Sequence, residues 1–126
     1  MVFTDVQGST KLWEALKEDM ERALFIHNGV MRRVIAECGG YEVKTEGDAF
    51  MIAFQTAHAA VKWCLDAQEA LVNAEWPTDG ALLDQPEASV QYDDAGNQIW
   101  SGLRVRMGVH VGEPRCVRDP SNNILK

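Results

Sequence analysis

Two carboxylates far apart in the sequence, Asp5 and Asp48, are the first residues whose types could support catalysis. Asp5 ends a short strand, and Asp48 lies at the tip or exit of a hairpin. In a β-α-β-β arrangement the first strand can lie beside the hairpin, so the two side chains can converge. Such a pair can hold two divalent ions about 4 Å apart for an in-line displacement at phosphorus, and its hard oxygens suit Mg²⁺ or Mn²⁺. Taken singly, each aspartate is better explained as a turn residue, so the inference depends on their surroundings.

The segment after Asp5 predicts a long helix. Residues 2–4 are apolar enough to form the end of a strand, and residues 8–10 (Gly-Ser-Thr) offer a turn and a helix cap. From Lys11 onwards, apolar residues recur at helical spacing. The two glycines at positions 39–40 are a natural end for this helix.

The next segment alternates between apolar and polar residues, which predicts a β-hairpin. The expected faces of its first strand are Tyr41, Val43 and Thr45 on one side, and Glu42, Lys44 and Glu46 on the other. The turn falls at residues 46–48, and the alternation resumes over residues 50–54. Thr56 can cap a second helix, whose apolar stripe continues to Val72.

The second half of the chain predicts an insertion and further strands. Residues 75–101 contain Pro, Gly and many acidic side chains, which indicates an inserted loop with a small hairpin. Residues 103–111 alternate strongly, as a central strand does, and residues 116–125 resemble another hairpin. This order of elements indicates an α+β fold, with a ferredoxin-like mixed sheet and helices on one face.

Composition restricts the possible functions. The 126 residues suit one domain, and a net charge of −7 with a pI of about 4.8 argues against general nucleic-acid binding. No apolar run approaches the roughly 20 residues of a membrane span, and the N-terminus has no signal-peptide pattern. The histidines show no ligand spacing, and the cysteines indicate a reducing compartment with no zinc site; these residues are His27, His58, His110, Cys38, Cys64 and Cys116.

Three segments together resemble a known family. Residues 3–10 (FTDVQGST) and 44–51 (KTEGDAFM) look like the two signature segments of class III adenylyl cyclases, and residues 106–112 (RMGVHVG) look like that family's later central strand. Residues 1–126 would then form part of a class III nucleotidyl cyclase catalytic domain. The inserted subdomain at about 75–101 is similar to that of the receptor-type adenylate cyclases of kinetoplastid protozoa, and this group gives the closest resemblance.

The resemblance implies a reaction and a set of site residues. The family converts ATP to 3′,5′-cyclic AMP and pyrophosphate, when the ribose 3′-oxygen attacks the α-phosphorus. By similarity, Asp5 and Asp48 would bind two Mg²⁺ or Mn²⁺ ions, with the Val6 carbonyl as a further ligand. A segment with backbone N–H groups and a helix N-terminus would bind the triphosphate, and helix N-termini attract anions on general grounds; its residues are Gln7, Gly8, Ser9 and Thr10.

The resemblance also implies a dimer. Lys44 matches the position of the lysine that selects adenine, since an ammonium group donates to N1 of adenine and is poorly suited to the N1–H of guanine. In the family, the metal-binding aspartates and this lysine serve different sites of a domain pair. Asp5 and Asp48 of one chain would therefore act at one site of a homodimer or paired cyclase domain, and Lys44 of that chain would act at the other.

Two departures from the family pattern qualify this reading. Glu113 stands where many relatives have a phosphate-contacting arginine, and Arg115 is the residue that could replace it. The family's next catalytic groups, an adenine-contacting acid, an Asn and an Arg, are not in this chain, so we expect the fragment alone to be inactive or nearly so.

The overall expectation is a signalling enzyme, with one alternative from another class. The parent protein would be membrane-anchored through parts outside this chain, with the catalytic domain on the cytoplasmic side of the membrane. The alternative is a catalytically silent homologue that dimerises or senses nucleotide. A third possibility, a diguanylate cyclase, would require a Gly-Gly-rich acidic hairpin, whereas residues 46–49 read Glu-Gly-Asp-Ala.

Overall fold

The computed structural model describes residues 1–78 and 80–112, so Glu113, Arg115 and the expected hairpin at 116–125 lie outside the described residues. The elements in chain order are the following: β1 (Val2–Val6), α1 (Ser9–Ala15), α2 (Lys17–Cys38), β2 (Tyr41–Glu46), β3 (Ala49–Ala53), α3 (Ala57–Val72), a 3₁₀ turn (Leu82–Asp84), β4 (Gln91–Tyr92), β5 (Gln98–Trp100) and β6 (Val105–Val109).

Four of these strands form the main sheet, in the order β2-β3-β1-β6. The three neighbouring pairs that they make are antiparallel. Along β1, Val2, Thr4 and Val6 are buried beneath the helices, whereas Phe3 is 44% exposed. Side chains alternate between the faces of a strand. Phe3 and Asp5 therefore lie on the opposite face, called here the open face.

The two long helices cover the other face of the sheet, and the α+β class is confirmed. Thr56 caps α3 as expected, because its Oγ1 accepts a hydrogen bond from the Ala59 N–H at 3.1 Å. Gly39 ends α2 in a left-handed conformation (φ 70°), and the Gly40 N–H donates to the Ile35 carbonyl. The fully buried core between helices and sheet includes the large side chains of Leu12, Met20, Met31, Phe50, Ile52, Trp63 and Leu71.

The first predicted helix is interrupted, and it begins earlier than expected. Leu16 (φ −143°, ψ 63°) separates α1 from α2. Its N–H still donates to Leu12, and its carbonyl still accepts from Met20, each at 2.8 Å. A break of one residue that keeps both hydrogen bonds also keeps the spacing of the apolar residues, so periodicity gives no sign of it.

The expected faces of β2 are wrong, because a β-bulge interrupts its pairing with β3. Glu42 lies opposite buried Ile52. The neighbouring residue of β3, Met51, lies opposite Lys44 and not opposite the residue that follows Glu42. The extra residue, Val43, shifts the alternation by one. Glu42 and Thr45 therefore face the helices, whereas Lys44 lies on the open face.

The segment at about 75–101 packs against the end of α3 and contains the small hairpin expected there. Trp76 is buried, and its indole Nε1 donates to the Leu71 carbonyl at 2.9 Å. The Ser101 hydroxyl donates to the Val72 carbonyl at 3.1 Å. The β4–β5 turn is held by Asp93, whose carboxylate accepts N–H groups of Ala95 and Asn97. No helix within residues 1–78 and 80–112 has the length and apolarity needed to cross a membrane.

Gly102 should be intolerant of any side chain. It has φ 76°, and a Cβ built on it would overlap the Trp76 ring, whereas Gly96 has φ 85° and open space around it. Both Gly96→Ala and Gly102→Ala incur the cost of a left-handed residue, about 1 kcal/mol, and only Gly102→Ala adds overpacking of about 1–3 kcal/mol. In urea unfolding, Gly102→Ala should lose about 3 kcal/mol and Gly96→Ala about 1; equal losses would contradict this packing.

Candidate active site

Asp5 lies on the open face of the sheet, directly opposite Arg106 on β6. The two side chains form a bidentate ion pair, in which Arg106 Nε donates to Asp5 Oδ1 at 2.9 Å and a terminal guanidinium nitrogen donates to Oδ2 at 2.6 Å. The Asp5 side chain is 45% exposed and that of Arg106 is 67% exposed. The hydrogen bonds that Asp5 accepts from it raise the pKa of Arg106, so the guanidinium stays charged. The pair is therefore an electrostatic contact that solvent can reach.

Asp48 reaches the same end of β1 from the β2–β3 turn. Thr4 lies opposite Phe50, and continuation of this register places Val6 beside Asp48. Asp48 Oδ1 lies 3.5 Å from the Val6 N–H, at the outer limit of a hydrogen bond. The N–H and C=O of one strand residue point to the same side, so the Val6 carbonyl lies on the side of Asp48 as well. The structure thus brings both carboxylates and this carbonyl to one end of β1.

A larger acidic cluster is absent from this end of the sheet. Within residues 1–78 and 80–112, no group of three or more His, Cys, Asp or Glu side chains is arranged to hold a metal ion. The hard oxygens of Asp5 and Asp48 still match the preference of Mg²⁺ and Mn²⁺. Any ion at this end of the sheet would need backbone, water or substrate oxygens to complete its shell.

Lys44 lies farther along the open face, on β2. Its Nζ is 2.6 Å from Glu46 Oε1, and its side chain is 40% exposed. The concavity beside it has a volume of about 210 Å³. It is lined by Phe3, Thr4, Lys44, Glu46, Ala49, Phe50 and Met51. Concavities of up to about 720 Å³ lie elsewhere, along α2, α3 and residues 72–105, and none of these includes Asp5 or Asp48.

The loop between β1 and α1 is held in a tight conformation. The Gln7 N–H donates to the Arg104 carbonyl at 2.7 Å. Gly8 has φ 69°, and a Cβ on it would come within 2.6 Å of Glu87 Cγ. Within residues 8–10, where a turn and a helix cap were expected, Gly8 occupies the N-cap position, without a side-chain cap. Helix geometry leaves the first-turn N–H groups without intrahelical partners, and they are available to an anion.

The helix-facing side of the hairpin contacts α2 through charged and aromatic side chains. Arg32 on α2 donates to both carboxylate oxygens of Glu42, at 3.0 and 3.3 Å, and its guanidinium lies 5.3 Å from the Phe50 ring centre. The Thr45 hydroxyl donates to Glu42 at 2.6 Å. The hydrogen bond from Arg32 is the main cause that lowers the pKa of Glu42. These contacts keep Glu42 charged and fix the strand that carries Lys44.

His27 is fully buried against the same hairpin. Its ring meets Phe50 edge-on with centroids 5.8 Å apart, and its Nδ1 is 2.9 Å from Asn28 Oδ1. Its Nε2 has no partner among the described residues. Burial lowers the pKa of His27 from 6.5, against the smaller raising effects of Asn28 and Asp48. The imidazole is therefore held neutral beneath the strand that follows Asp48.

Arg106 is the site residue whose contact sequence reasoning missed. It was part of a recognised segment, but it received no role of its own. The alternating pattern of residues 103–111 predicted a central strand. If that strand pairs antiparallel with β1, one of its residues must lie opposite Asp5. The register that selects Arg106 comes from the fold.

Comparison with known proteins identifies the family. The family model described as adenylate and guanylate cyclase catalytic domain matches residues 1–119. The chain therefore belongs to this family, and its resemblance to class III cyclases is confirmed.

The most similar relatives are named adenylate cyclases. That of Neurospora crassa is 48% identical over 120 residues, which are 95% of this chain and 5% of that protein. That of Mycosarcoma maydis is 46% identical with the same coverage. Receptor-type adenylate cyclase B of Leishmania donovani is 36% identical and covers 89% of this chain and 10% of that protein. The kinetoplastid resemblance is thus confirmed, although the fungal proteins match at higher identity, and the chain spans a tenth or less of each of these relatives.

Solved structures show the same fold. An adenylate cyclase from Trypanosoma brucei, in its monomeric state, superposes with a TM-score of 0.85 at 31% identity. The match covers 99% of this chain and 60% of that one. The guanylyl cyclase Cya2 superposes with a TM-score of 0.70 at 21% identity, which supports the fold alone.

The neutral His27 should make stability depend on pH. Its folded pKa lies below the ordinary 6.5, so the unfolded chain takes up a proton first as the pH falls through 6.5. Stability is then fully present above about pH 7 and falls by on the order of 1 kcal/mol as the pH drops towards the lowered value. Urea unfolding between about pH 7.5 and 5 should show this slope, and His27→Leu should reduce it.

The control for this prediction is His58→Gln. His58 is an exposed imidazole on α3, and its replacement leaves His27 in place, so this variant should keep the wild-type slope. A His27→Leu slope equal to that of the wild type would show that burial of this ring does not couple folding to pH.

Proposed function

We propose that this chain is the metal-binding part of an adenylate cyclase catalytic domain, which converts ATP to 3′,5′-cyclic AMP and pyrophosphate in intracellular signalling. The observation that carries the proposal is the position of Asp48, whose Oδ1 lies 3.5 Å from the N–H of Val6, the residue that follows Asp5 on β1, in a chain that belongs to the cyclase family. Relatives named adenylate cyclases favour ATP as the substrate.

The aspartates would act as ligands of two Mg²⁺ or Mn²⁺ ions, with the Val6 carbonyl as a further oxygen. Such ions, when bound, would stabilise the attacking 3′-oxygen and the leaving pyrophosphate. The protein's own contribution is position. Asp5 is fixed by the central strand and Asp48 by the hairpin turn, so the backbone holds both residues at the same end of β1. The oxygen ligands offered by Asp5, Asp48 and Val6 are of the type that Mg²⁺ and Mn²⁺ prefer, which supports the proposal.

The loop from Gln7 to Thr10 would hold the triphosphate. Gly8 brings the backbone into a left-handed turn, and the following first-turn N–H groups of α1 point away from the helix. The Glu87 side chain packs against Gly8, which narrows the space beside this loop. Arg115 would add a phosphate contact in place of the arginine expected at Glu113.

Lys44 would select adenine, and it would do so at the second site of a homodimer or paired domain. Its ammonium group is exposed on the open face, beside the apolar side chains of Phe3 and Met51. An apolar surface next to one hydrogen-bond donor suits a planar base. Contact with Glu46 orients the ammonium.

The domain is proposed to work as part of a longer chain. This chain covers 60% of the trypanosomal structure, so we expect the remaining part to supply the other catalytic groups and the fragment alone to be nearly inactive. The segment at about 75–101 would be an inserted subdomain. The parent protein would be anchored in a membrane, and this domain would lie on the cytoplasmic side. The name receptor-type of the Leishmania relatives supports only the anchoring.

Removal of one metal-binding charge should abolish activity. In the protein at its full natural length, supplied with Mn²⁺ and ATP, Asp48→Asn should lower cyclic AMP formation by about a hundredfold or more, and Asp5→Ala should do the same. Asp93→Asn is the matched control, since it neutralises an exposed aspartate that holds the β4–β5 turn. No cyclic nucleotide from the folded wild type would favour a catalytically silent homologue.

Reversal of the charge at Lys44 should relax the choice of base. With ATP and GTP compared side by side, Lys44→Glu should reduce the ATP-over-GTP ratio of kcat/KM by at least tenfold, because a carboxylate accepts from the N1–H of guanine. Lys62→Glu makes the same reversal on α3, away from the open face, and should leave this ratio unchanged. An unchanged ratio in Lys44→Glu would remove the base-reading role.

A further inference from the structure

The contact between Asp5 and Arg106 has no part in the proposed reaction, yet it engages the carboxylate that the reaction needs. Both Asp5 oxygens accept hydrogen bonds from a single guanidinium, at 2.9 and 2.6 Å. Planar bidentate pairing of this kind is stronger and more directional than a single ion pair. The guanidinium of Arg106 therefore already offsets the negative charge of Asp5.

The fold builds this pairing in. Asp5 and Arg106 are direct cross-strand partners, and the same ladder runs from Val2–Val109 to Val6–Val105. Arg106 cannot move away from Asp5 as a whole residue without disruption of that ladder. Its side chain, however, is 67% exposed, and rotation about its own bonds can release the guanidinium into solvent at little desolvation cost.

A second carboxylate, that of Asp48, lies at the end of the sheet where Arg106 pairs with Asp5. Asp48 approaches the other side of β1 and has its Oδ1 only 3.5 Å from the Val6 N–H. Asp5 lies on β1 and Asp48 lies beside the next residue of that strand, so both carboxylates are at the same end of the sheet. Arg106 supplies one positive charge to this pair.

We propose that Arg106 is the resident counter-cation of Asp5 in the metal-free domain and that a divalent cation must displace its guanidinium in order to bind. This inference rests on the proposed function, since it takes Asp5 and Asp48 as the metal ligands. Arg106 then lowers the metal affinity through competition for both Asp5 oxygens and through repulsion of the incoming ion.

The test measures metal binding and not turnover. The protein at its full natural length is titrated with Mn²⁺ alone, and free Mn²⁺ is counted by electron paramagnetic resonance. The site of interest is defined as the binding that Asp48→Asn removes. At this site Arg106→Gln should bind Mn²⁺ about two- to fivefold more tightly than the wild type. Arg106→Lys, which keeps the charge and loses the bidentate fork, should fall between the two.

Lys62→Gln is the matched control. It removes one exposed cation from an exposed ion pair with Asp66 on α3, and it should bind Mn²⁺ as the wild type does. The inference is overturned if Arg106→Gln binds Mn²⁺ equally or more weakly, which would make Arg106 a residue that orients Asp5 for the metal. Equal tightening in Lys62→Gln would also overturn it, because the effect would then be one of net charge.

Failure of the proposed function has a different signature. If Asp48→Asn binds Mn²⁺ like the wild type, the carboxylate pair is not the metal site, and both proposals fall together. If Asp48→Asn loses the site and Arg106→Gln does not tighten it, the metal role stands and the competition by Arg106 does not.

Discussion

The position of β1 between β3 and β6 governs the geometry of the candidate site. Its two ladders bring Asp5 to Arg106, 101 residues away, and Val6 to Asp48, 42 residues away. A slip of one residue would turn Asp5 towards the helices and expose Val6. The buried side chains on the helix face of β1 prevent this slip, because an unpaired carboxylate in that core would be strongly unfavourable. Hydrophobic burial on one face thus fixes the chemistry on the other.

The hairpin shows where a local pattern stops being sufficient. The alternation over residues 41–46 correctly predicted a strand, yet it assigned Glu42 to the same face as Lys44. The bulge at Val43 separates them, and Glu42 turns towards α2, where Arg32 binds it. The observed register is stabilised by Arg32, which lies ten positions before Glu42 and on another element. Nothing in the hexapeptide itself distinguishes the two registers, so the face of Lys44 depended on tertiary contacts.

Most elements were predictable because burial imposes a period on the sequence. The capped helix at Thr56, the glycine stop at Gly39 and the small hairpin near Asp93 all follow from local chemistry. The expected convergence of Asp5 and Asp48 required one further step, the placement of the first strand beside the hairpin in a β-α-β-β arrangement. The Asp5–Arg106 pair and the close packing of Gly102 against Trp76 required the actual register and the packing of residues 75–101, which no periodicity contains.

The solvent exposure of the Asp5–Arg106 pair determines how easily the two side chains can separate. A fully buried Asp5–Arg106 pair would leave an uncompensated charge in a low-dielectric region when it opened, at a cost of several kcal/mol. With Asp5 45% and Arg106 67% exposed, water and salt can screen either partner after separation. The pair orders the carboxylate, and its exposure is what would let a divalent ion displace the guanidinium in the competition that we propose. The open face of the sheet, left uncovered by the helices, provides that balance.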